Sequence, residues 1–464
     1  VLFTDLNLNV ATPPYLKLAK AMGPKGHYHK IVKTIEGDKL VECPKVESST
    51  YLEYEEYAQR FLIQMMAVFE EGDTNGLTFS FPKANVHFNE DTFVPENDKV
   101  LESVFKCASR NGGVYFLFDR DGESSVSQCC RLKSQLSEAQ INELHEHPED
   151  SRFAALQNVS ISLPTAALEA LDELGEGASV KAKLQKTVEN MKSYMDLAVV
   201  AHKNKFKYIK HLYNKDSGPL NYAKKGMDGK PYVRLNELSY LIGIVGLDNA
   251  ILAITGKHLH EDQKAYKQGM LLIAEMRAYC DKLIEEHGLK LSLEETPAES
   301  AAGRLAHIAC TNDRYGELAK QIACAGDTDA PYWNNSIHYD YSADISFIDR
   351  IVGQSKFHKM IDAGAIIHLW VGENLPGVGS IRTLVKKVFD NTACSQFTIS
   401  PEFTTCFDCG HVELGCRETC INCDTDNVGI LTRVVGYNSW VNNWSRSKVQ
   451  ELAHRNKNVQ KGWE

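Results

Sequence analysis

Four short stretches of the chain are apolar almost without interruption: residues 77–81, 114–118, 159–163 and 365–371. A strand covered on both faces, as in a parallel sheet or barrel, carries such a run, whereas a half-wet antiparallel strand alternates apolar and polar positions. Each run therefore predicts a buried strand. Between them lie patterns of helical period over 51–71, 184–213, 261–286 and 346–363. In the second, Met195, Val199, His202, Phe206 and Ile209 recur at helical spacing with lysines opposite, the signature of one packed stripe and one solvated face. The lysine face also suits a nucleotide phosphate, but solvation is the simpler reading. Strands alternating with long helices predict an α/β layer or barrel architecture. No internal repeat or low-complexity tract is visible.

Helical periodicity stops near Pro401, where the composition shifts to Cys, Asp, Asn and Gly. A short final helix is predicted over 445–455, after the aromatic stretch 437–444. The chain thus divides into a body of residues 1–400, a cysteine-rich segment 401–426 and a tail 427–464.

Composition narrows the class. Over 464 residues, 43% are hydrophobic and 24% charged, as in globular proteins, and the formal net charge of −10 argues against a nucleic-acid footprint. No apolar run approaches the roughly 18 residues of a membrane span, and no signal peptide is visible. The expected compartment is the cytoplasm. The 13 cysteines are odd in number and uneven in placement, with five between Cys406 and Cys423. They read as metal ligands and redox groups of a reducing compartment rather than a secreted disulfide framework. The chain opens at Val1 inside a strand-like stretch, which suggests an absent N-terminal portion and leaves a processed N-terminus and a split polypeptide both open.

Cys406-Phe-Asp-Cys409 and Cys420-Ile-Asn-Cys423 are two CxxC knuckles separated by ten residues. Each offers two thiolates, and four sulfurs complete a closed tetrahedral zinc site. An iron–sulfur cluster is the alternative; tandem knuckles favour zinc. Cys416 and His411 lie inside the loop as bystanders. A closed site leaves no open coordination position, so its expected task is to hold the tail behind it.

That tail carries Arg433-Val-Val-Gly436-Tyr437. A glycine after two valines is ordinarily a bulge or turn. Close to the C-terminus and directly behind a zinc knot, the segment closely resembles the Arg-Val-x-Gly-Tyr motif of glycyl radical enzymes, with Val435 where a smaller residue is more common. A Cα radical is stabilised by the donating amide nitrogen on one side and the withdrawing carbonyl on the other. Full delocalisation needs a planar backbone that a Cβ would obstruct. Pyruvate formate-lyase shares the motif but lacks the knuckles before it, so the combination resembles the anaerobic, glycyl radical (class III) ribonucleotide reductases.

That resemblance extends along most of the chain, through 243–256, Glu295-Thr-Pro-Ala-Glu-Ser300, Trp333-Asn-Asn-Ser336 and 341–353. It implies that the finger loop near 120–131 carries the thiyl cysteine in Cys129-Cys130-Arg131, with Cys130 the radical residue and Cys129 held as a spare. S–H and activated C–H bonds have similar strengths, so hydrogen transfer between Cys130 and Gly436 is nearly thermoneutral. Locally, Thr296 reads as an N-cap, Pro297 as the first helical residue and Glu299 as the other half of a capping box. Thr296 and Ser300 are accordingly candidates to cradle a triphosphate at a helix N-terminus, with the cap alone as the plainer reading.

The fold implied is a ten-stranded α/β barrel threaded by the finger loop, with a C-terminal zinc knot and radical loop. Family members begin upstream of Val1, where the first barrel strands, a second redox cysteine and often an ATP-binding regulatory domain ordinarily lie. Ser162-Leu-Pro-Thr165 also departs from the family's Asn-Leu-Pro-Arg. The implied reaction is oxygen-independent reduction of ribonucleoside triphosphates. A separate activase using S-adenosylmethionine and an iron–sulfur cluster would install the radical on Gly436. Nucleotide effectors (dNTP or ATP), formate or a dithiol as reductant, and a homodimer complete the implied set. Another glycyl radical enzyme of the formate-lyase or dehydratase type, or a non-catalytic zinc-ribbon interaction protein, are the alternatives.

Overall fold

The structure is a computed structural model that describes residues 4–23, 26–122, 125–127, 132–147, 152–175, 177–215, 217–218, 220–224, 229–324 and 329–457. Its main strands, in chain order, are β1 (Asp5–Asn9), β2 (Lys83–Phe88), β3 (Val114–Phe118), β4 (Ala155–Ser162), β5 (Ser239–Val245), β6 (Lys290–Glu295), β7 (Ile367–Gly372), β8 (Gln396–Cys406), β9 (Val412–Leu414), β10 (Val428–Arg433) and β11 (Asn438–Trp440). β1, β2 and β3 run parallel. β3 meets the start of β8 antiparallel, and β7 lies parallel to β8. The far end of β8 pairs with β9 and β10, and β10 with β11. β4, β5 and β6 form a separate parallel sheet. Helices connect the parallel strands, as parallel pairing requires, so the mixed α/β class expected from the sequence holds. The expected boundary at 401 falls inside β8, which runs unbroken from the body into the cysteine knot.

Side chains alternate between two different buried faces. In β2, Ala84, Val86 and Phe88 enter an apolar core with Val114, Phe116 and Phe118 of β3 and Phe397 and Ile399 of β8. Phe116 and Phe397 stack there at 4.9 Å between centroids. Lys83, Asn85 and His87, one residue out of phase, point the other way and are buried too. The second sheet repeats the scheme. Ile161, Ile242, Ile244, Leu291 and Leu293 pack against helices, while Ser160, Gly243 and Glu294 form a row on the opposite face.

Helices over Glu55–Glu71, Val180–Tyr213, Gln263–His287 and Arg446–His454 match the periodicity closely. Three expectations need correction. Residues 77–81 are a loop, not a strand. Their apolar side chains are consumed by tertiary packing: Leu77 sits with Phe403 and Leu431, and Phe79 lies edge-on to Phe69 at 5.5 Å. The run at 159–163 is the end of a longer strand, and Ser162 caps the helix Leu163–Leu174 that begins there. The helix expected over 346–363 ends at His358. Among the described residues no helix is long and apolar enough to cross a membrane.

Candidate active site

The polar face of the larger sheet anchors a short hairpin, Ser125–Ser127 paired with Lys133–Gln135. Asn7 donates to the Ser127 carbonyl at 2.8 Å and accepts from its N–H at 2.9 Å. Asn85 reaches the Ser127 hydroxyl at 3.1 Å. At the end of β3, Asp119 accepts from Ser125 Oγ at 2.7 Å, lies 2.7 Å from His87 Nδ1 and pairs with Lys133 Nζ at 2.9 Å. Burial pushes the Asp119 acid up, but His87 and Lys133 outweigh it and hold the carboxyl well below the usual carboxylate range. On the hairpin's other side Leu132 packs on Leu241 and Ala363. Leu241 belongs to the polar face of β5, in register with Asn158 and Ser292. The hairpin therefore stands between the polar faces of the two sheets. Cys129 and Cys130 lie outside the described residues.

Gly436 sits at a hairpin turn. β10 and β11 close with Arg433 opposite Asn438, Val434 N–H bonds the Tyr437 carbonyl at 3.0 Å, and Val435 and Gly436 make the turn. Gly436 and both valines are buried. Arg433 is fully buried against Tyr115: its Nε donates to the hydroxyl at 3.1 Å, its guanidinium lies 4.6 Å from the ring centroid, and its other nitrogens donate to the carbonyls of Ile399 and Gly112. On the far side Tyr437 donates to Glu299 Oε2 at 3.3 Å and packs on Phe81.

The four knuckle cysteines come together, with all four sulfurs within 4.8 Å of one another. Cys406 and Cys423 are 3.6 Å apart and Cys409 and Cys420 3.7 Å. A tetrahedron with Zn–S bonds of about 2.3 Å has edges of roughly 3.8 Å, so the four thiols fit a single zinc ion. Cys416 stands outside, directed at Glu402 at 3.1 Å.

Thr296 and Glu299 do not form the expected capping box. The helix starts later, at Glu299, with Ala298 in a left-handed conformation at its N-cap position. The Thr296 hydroxyl is drawn instead to Ser160 across the sheet at 3.2 Å, so a tertiary contact overrides the local signal. Thr296 is buried beside the polar face, and Ser300 is exposed on the first turn.

The polar strand faces escaped the sequence reading, although the alternation Lys83-Ala-Asn85-Val-His87 shows them once both faces are known to be buried. A second group, Asp248, His258 and Asp340, also has ligand atoms close together. Protein donors already serve it: His258 and the Leu259 N–H meet Asp248, and Ser342 and Cys324 meet Asp340. It therefore reads as a structural anchor.

A family model for the anaerobic ribonucleoside-triphosphate reductases matches residues 1–457. The chain belongs to that family. No curated protein sequence matches it significantly. Among solved structures it resembles the anaerobic ribonucleotide reductase from Thermotoga maritima in complex with dATP and CTP. That match has a TM-score of 0.66 and 16% identity, and covers 97% of this chain and 65% of that one. A second structure described as an anaerobic ribonucleotide reductase gives 0.67 at 16% identity, with coverage of 98% and 64%. Hydroxyproline dehydratase from Clostridioides difficile gives 0.51 at 10% identity, with coverage of 89% and 56%. At these identities the likeness is one of fold, and the chain spans less than two thirds of the reductases it matches.

Proposed function

We propose that this chain carries the glycyl/thiyl radical machinery for anaerobic reduction of ribonucleoside triphosphates to 2′-deoxyribonucleoside triphosphates. The observation that supports this most is the family match over residues 1–457, with Gly436 buried in a hairpin turn directly after the four-cysteine knot. The dehydratase reading is weaker, because the dehydratase fold matches less well than the reductases do. The functional division we assign is a body to residue 400, a zinc knot over 401–426 and a radical tail over 427–464. Zinc on Cys406, Cys409, Cys420 and Cys423 supplies a fixed structural node and no open coordination position.

In the proposed cycle a radical S-adenosylmethionine activase removes a hydrogen atom from Gly436 Cα. Gly436 then takes the hydrogen atom of the Cys130 thiol, leaving a thiyl radical on Cys130. Cys130 abstracts the ribose 3′ hydrogen, water leaves C2′, and formate or a dithiol supplies the two electrons that complete reduction. Cys130 then returns its hydrogen atom to C3′ of the product and regains one from Gly436 Cα, which restores the glycyl radical. Thr296 forms part of the chamber wall, and the triphosphate is assigned to the first turn of helix Glu299–Cys310, near Ser300, where unpaired N–H groups favour an anion. Nucleotide effectors, a homodimer and a cytoplasmic site belong to the same proposal.

Anaerobic activation followed by air exposure tests the assignment. Dioxygen adds to a backbone carbon radical and breaks the chain there, so activated protein should release a C-terminal fragment beginning near Tyr437. Unactivated protein and Gly436→Ala should stay whole, and zinc should remain with the large fragment. Intact activated protein after air, despite a radical seen by electron paramagnetic resonance beforehand, would place the radical elsewhere.

A further inference from the structure

We propose that Arg455, on the C-terminal side of the chain, is a positioning residue that sets where the Gly436 turn stands; the proposal rests on Gly436 as the radical site. The turn has little holding it from within. β11 is three residues long and pairs with β10 at only three positions, too short a ladder to be rigid alone. Arg433 fixes the strand from one side through its side chain, but its own carbonyl and that of Val434 point the other way.

Arg455 takes up both. Its NH1 donates to the Arg433 carbonyl at 2.9 Å and its NH2 to the Val434 carbonyl at 3.0 Å. These are the two peptide groups that lead into the Val435–Gly436 turn. The guanidinium is itself fixed on three sides. It stacks on Trp370 at 3.7 Å from the ring centroid, lies 5.4 Å from Trp444 and pairs with Glu451 Oε1 at 2.9 Å. Glu451 in turn receives Lys448 at 2.5 Å and Asn335 at 3.5 Å. All three charged side chains are at most 3% exposed. The helix Arg446–His454 that carries Lys448 and Glu451 is pinned to helix Glu299–Cys310, where a Cβ on Gly303 would fall 2.5 Å from Ser447.

The chemistry makes such precision consequential. Hydrogen-atom transfer between Gly436 Cα and a thiol falls off steeply with separation, and a displacement of about 1 Å costs on the order of a hundredfold in rate. A planar guanidinium spans two adjacent carbonyls where an ammonium, as a point charge, cannot hold both in one geometry. Apolar packing of Val434 and Val435 buries the turn without fixing its rotation, because such packing has no direction. The Arg455 fork supplies the direction.

Arg455→Lys and Glu451→Gln test this. Hydrogen exchange on the unactivated chain should show amides 434–438 exchanging at least about tenfold faster in both variants, with β4 unchanged. After activation both should still give a glycyl radical signal, with kcat down at least about tenfold and KM for the ribonucleotide within about twofold. A merely structural role would raise exchange throughout and lower radical yield and kcat together. Exchange and kcat within about twofold of wild type in both variants would overturn the proposal. Should Arg455→Lys not fold, Glu451→Gln decides by itself, since it leaves the fork in place and removes only its charge partner. Absence of the radical signal in activated wild type would sink the Gly436 assignment instead, and the exchange comparison would still decide whether Arg455 holds the turn.

Discussion

Replacing Asp119 by Asn should free the finger hairpin while leaving the sheets intact. The substitution keeps the shape and removes the charge that Lys133 and His87 face at 2.9 and 2.7 Å. Lys133, a buried ammonium, then keeps the Phe118 carbonyl at 3.1 Å but loses the Asp119 carboxylate. Breaking one partner of a buried ion pair costs about 3–5 kcal/mol, a large share of the roughly 5–15 kcal/mol that holds a domain together. Because Lys133 opens the second strand of the hairpin, the loss is local. Opening of the paired strands Ser125–Ser127 and Lys133–Gln135 should become more frequent by about two to three and a half powers of ten, at about 1.4 kcal/mol per tenfold. Hydrogen exchange of peptides carrying Ser125–Ser127 and Lys133–Gln135, set against β4, reads this directly. The sign with pH follows from the depressed acid. Its contribution is complete above the unfolded aspartate value of about 3.9 and is lost only as pH falls toward the lower folded value. The Asp119 contribution to the gap between Asn variant and wild type should therefore shrink as pH falls below about 4. Hairpin exchange equal to wild type at pH 7 would mean that Asn7 and Asn85 hold the hairpin without the charge.

Two further outcomes are expected. The chain should bind one zinc ion through Cys406, Cys409, Cys420 and Cys423, and joint Cys420→Ser and Cys423→Ser replacement should abolish it; unchanged zinc by metal analysis would refute the site. Cys130→Ala should abolish turnover while the glycyl radical still forms on activation, and an active Cys130→Ala beside a dead Cys129→Ala would reverse the choice between neighbours.

The features legible in the sequence are those whose physics is local. A CxxC knuckle brings two sulfurs together within one turn, so the pairing of 406–409 with 420–423 needs only one loop to close. Long helices announce themselves by period, and helix Gln263–His287 lies within two residues of its expectation. The strand faces were not legible, because a continuous apolar run is the local mark of a buried strand and β2 lacks one. It reads Lys83-Ala-Asn-Val-His-Phe88, which looks half-wet, yet every residue is buried. Its polar side chains are paid for by partners far along the chain, Asp119 for His87 and Ser127 for Asn85. The Thr296 cap failed for the same reason, since Ser160, 136 residues away, claims the hydroxyl. Arg455 carries a visible local cue, Glu451 four residues earlier, but nothing local says which carbonyls it will meet.

Charge is expensive to bury, and this chain buries it at the bases of two hairpins: Asp119 with Lys133 under the finger, and Arg433 and Arg455 on either side of the glycine turn. Apolar side chains of similar volume would stabilise either place at least as well. What they cannot do is fix a hairpin's direction, and the proposed hydrogen-atom relay from Gly436 would depend on it. The zinc knot fits the same logic. β10 starts opposite Cys406 and ends at Arg433, so six residues rising about 3.3 Å each separate the knot from the turn by nearly 20 Å. At that distance a zinc ion held by the knot would not touch Gly436, but it would pin the far end of the strand that carries it. Arg455 then has only the near end to hold. Stripping zinc should therefore loosen β10 from Val428 inward, with protection lost first beside the knot and last at Arg433. Loss in the opposite order would mean that the turn depends on the knot more than on the arginines that flank it.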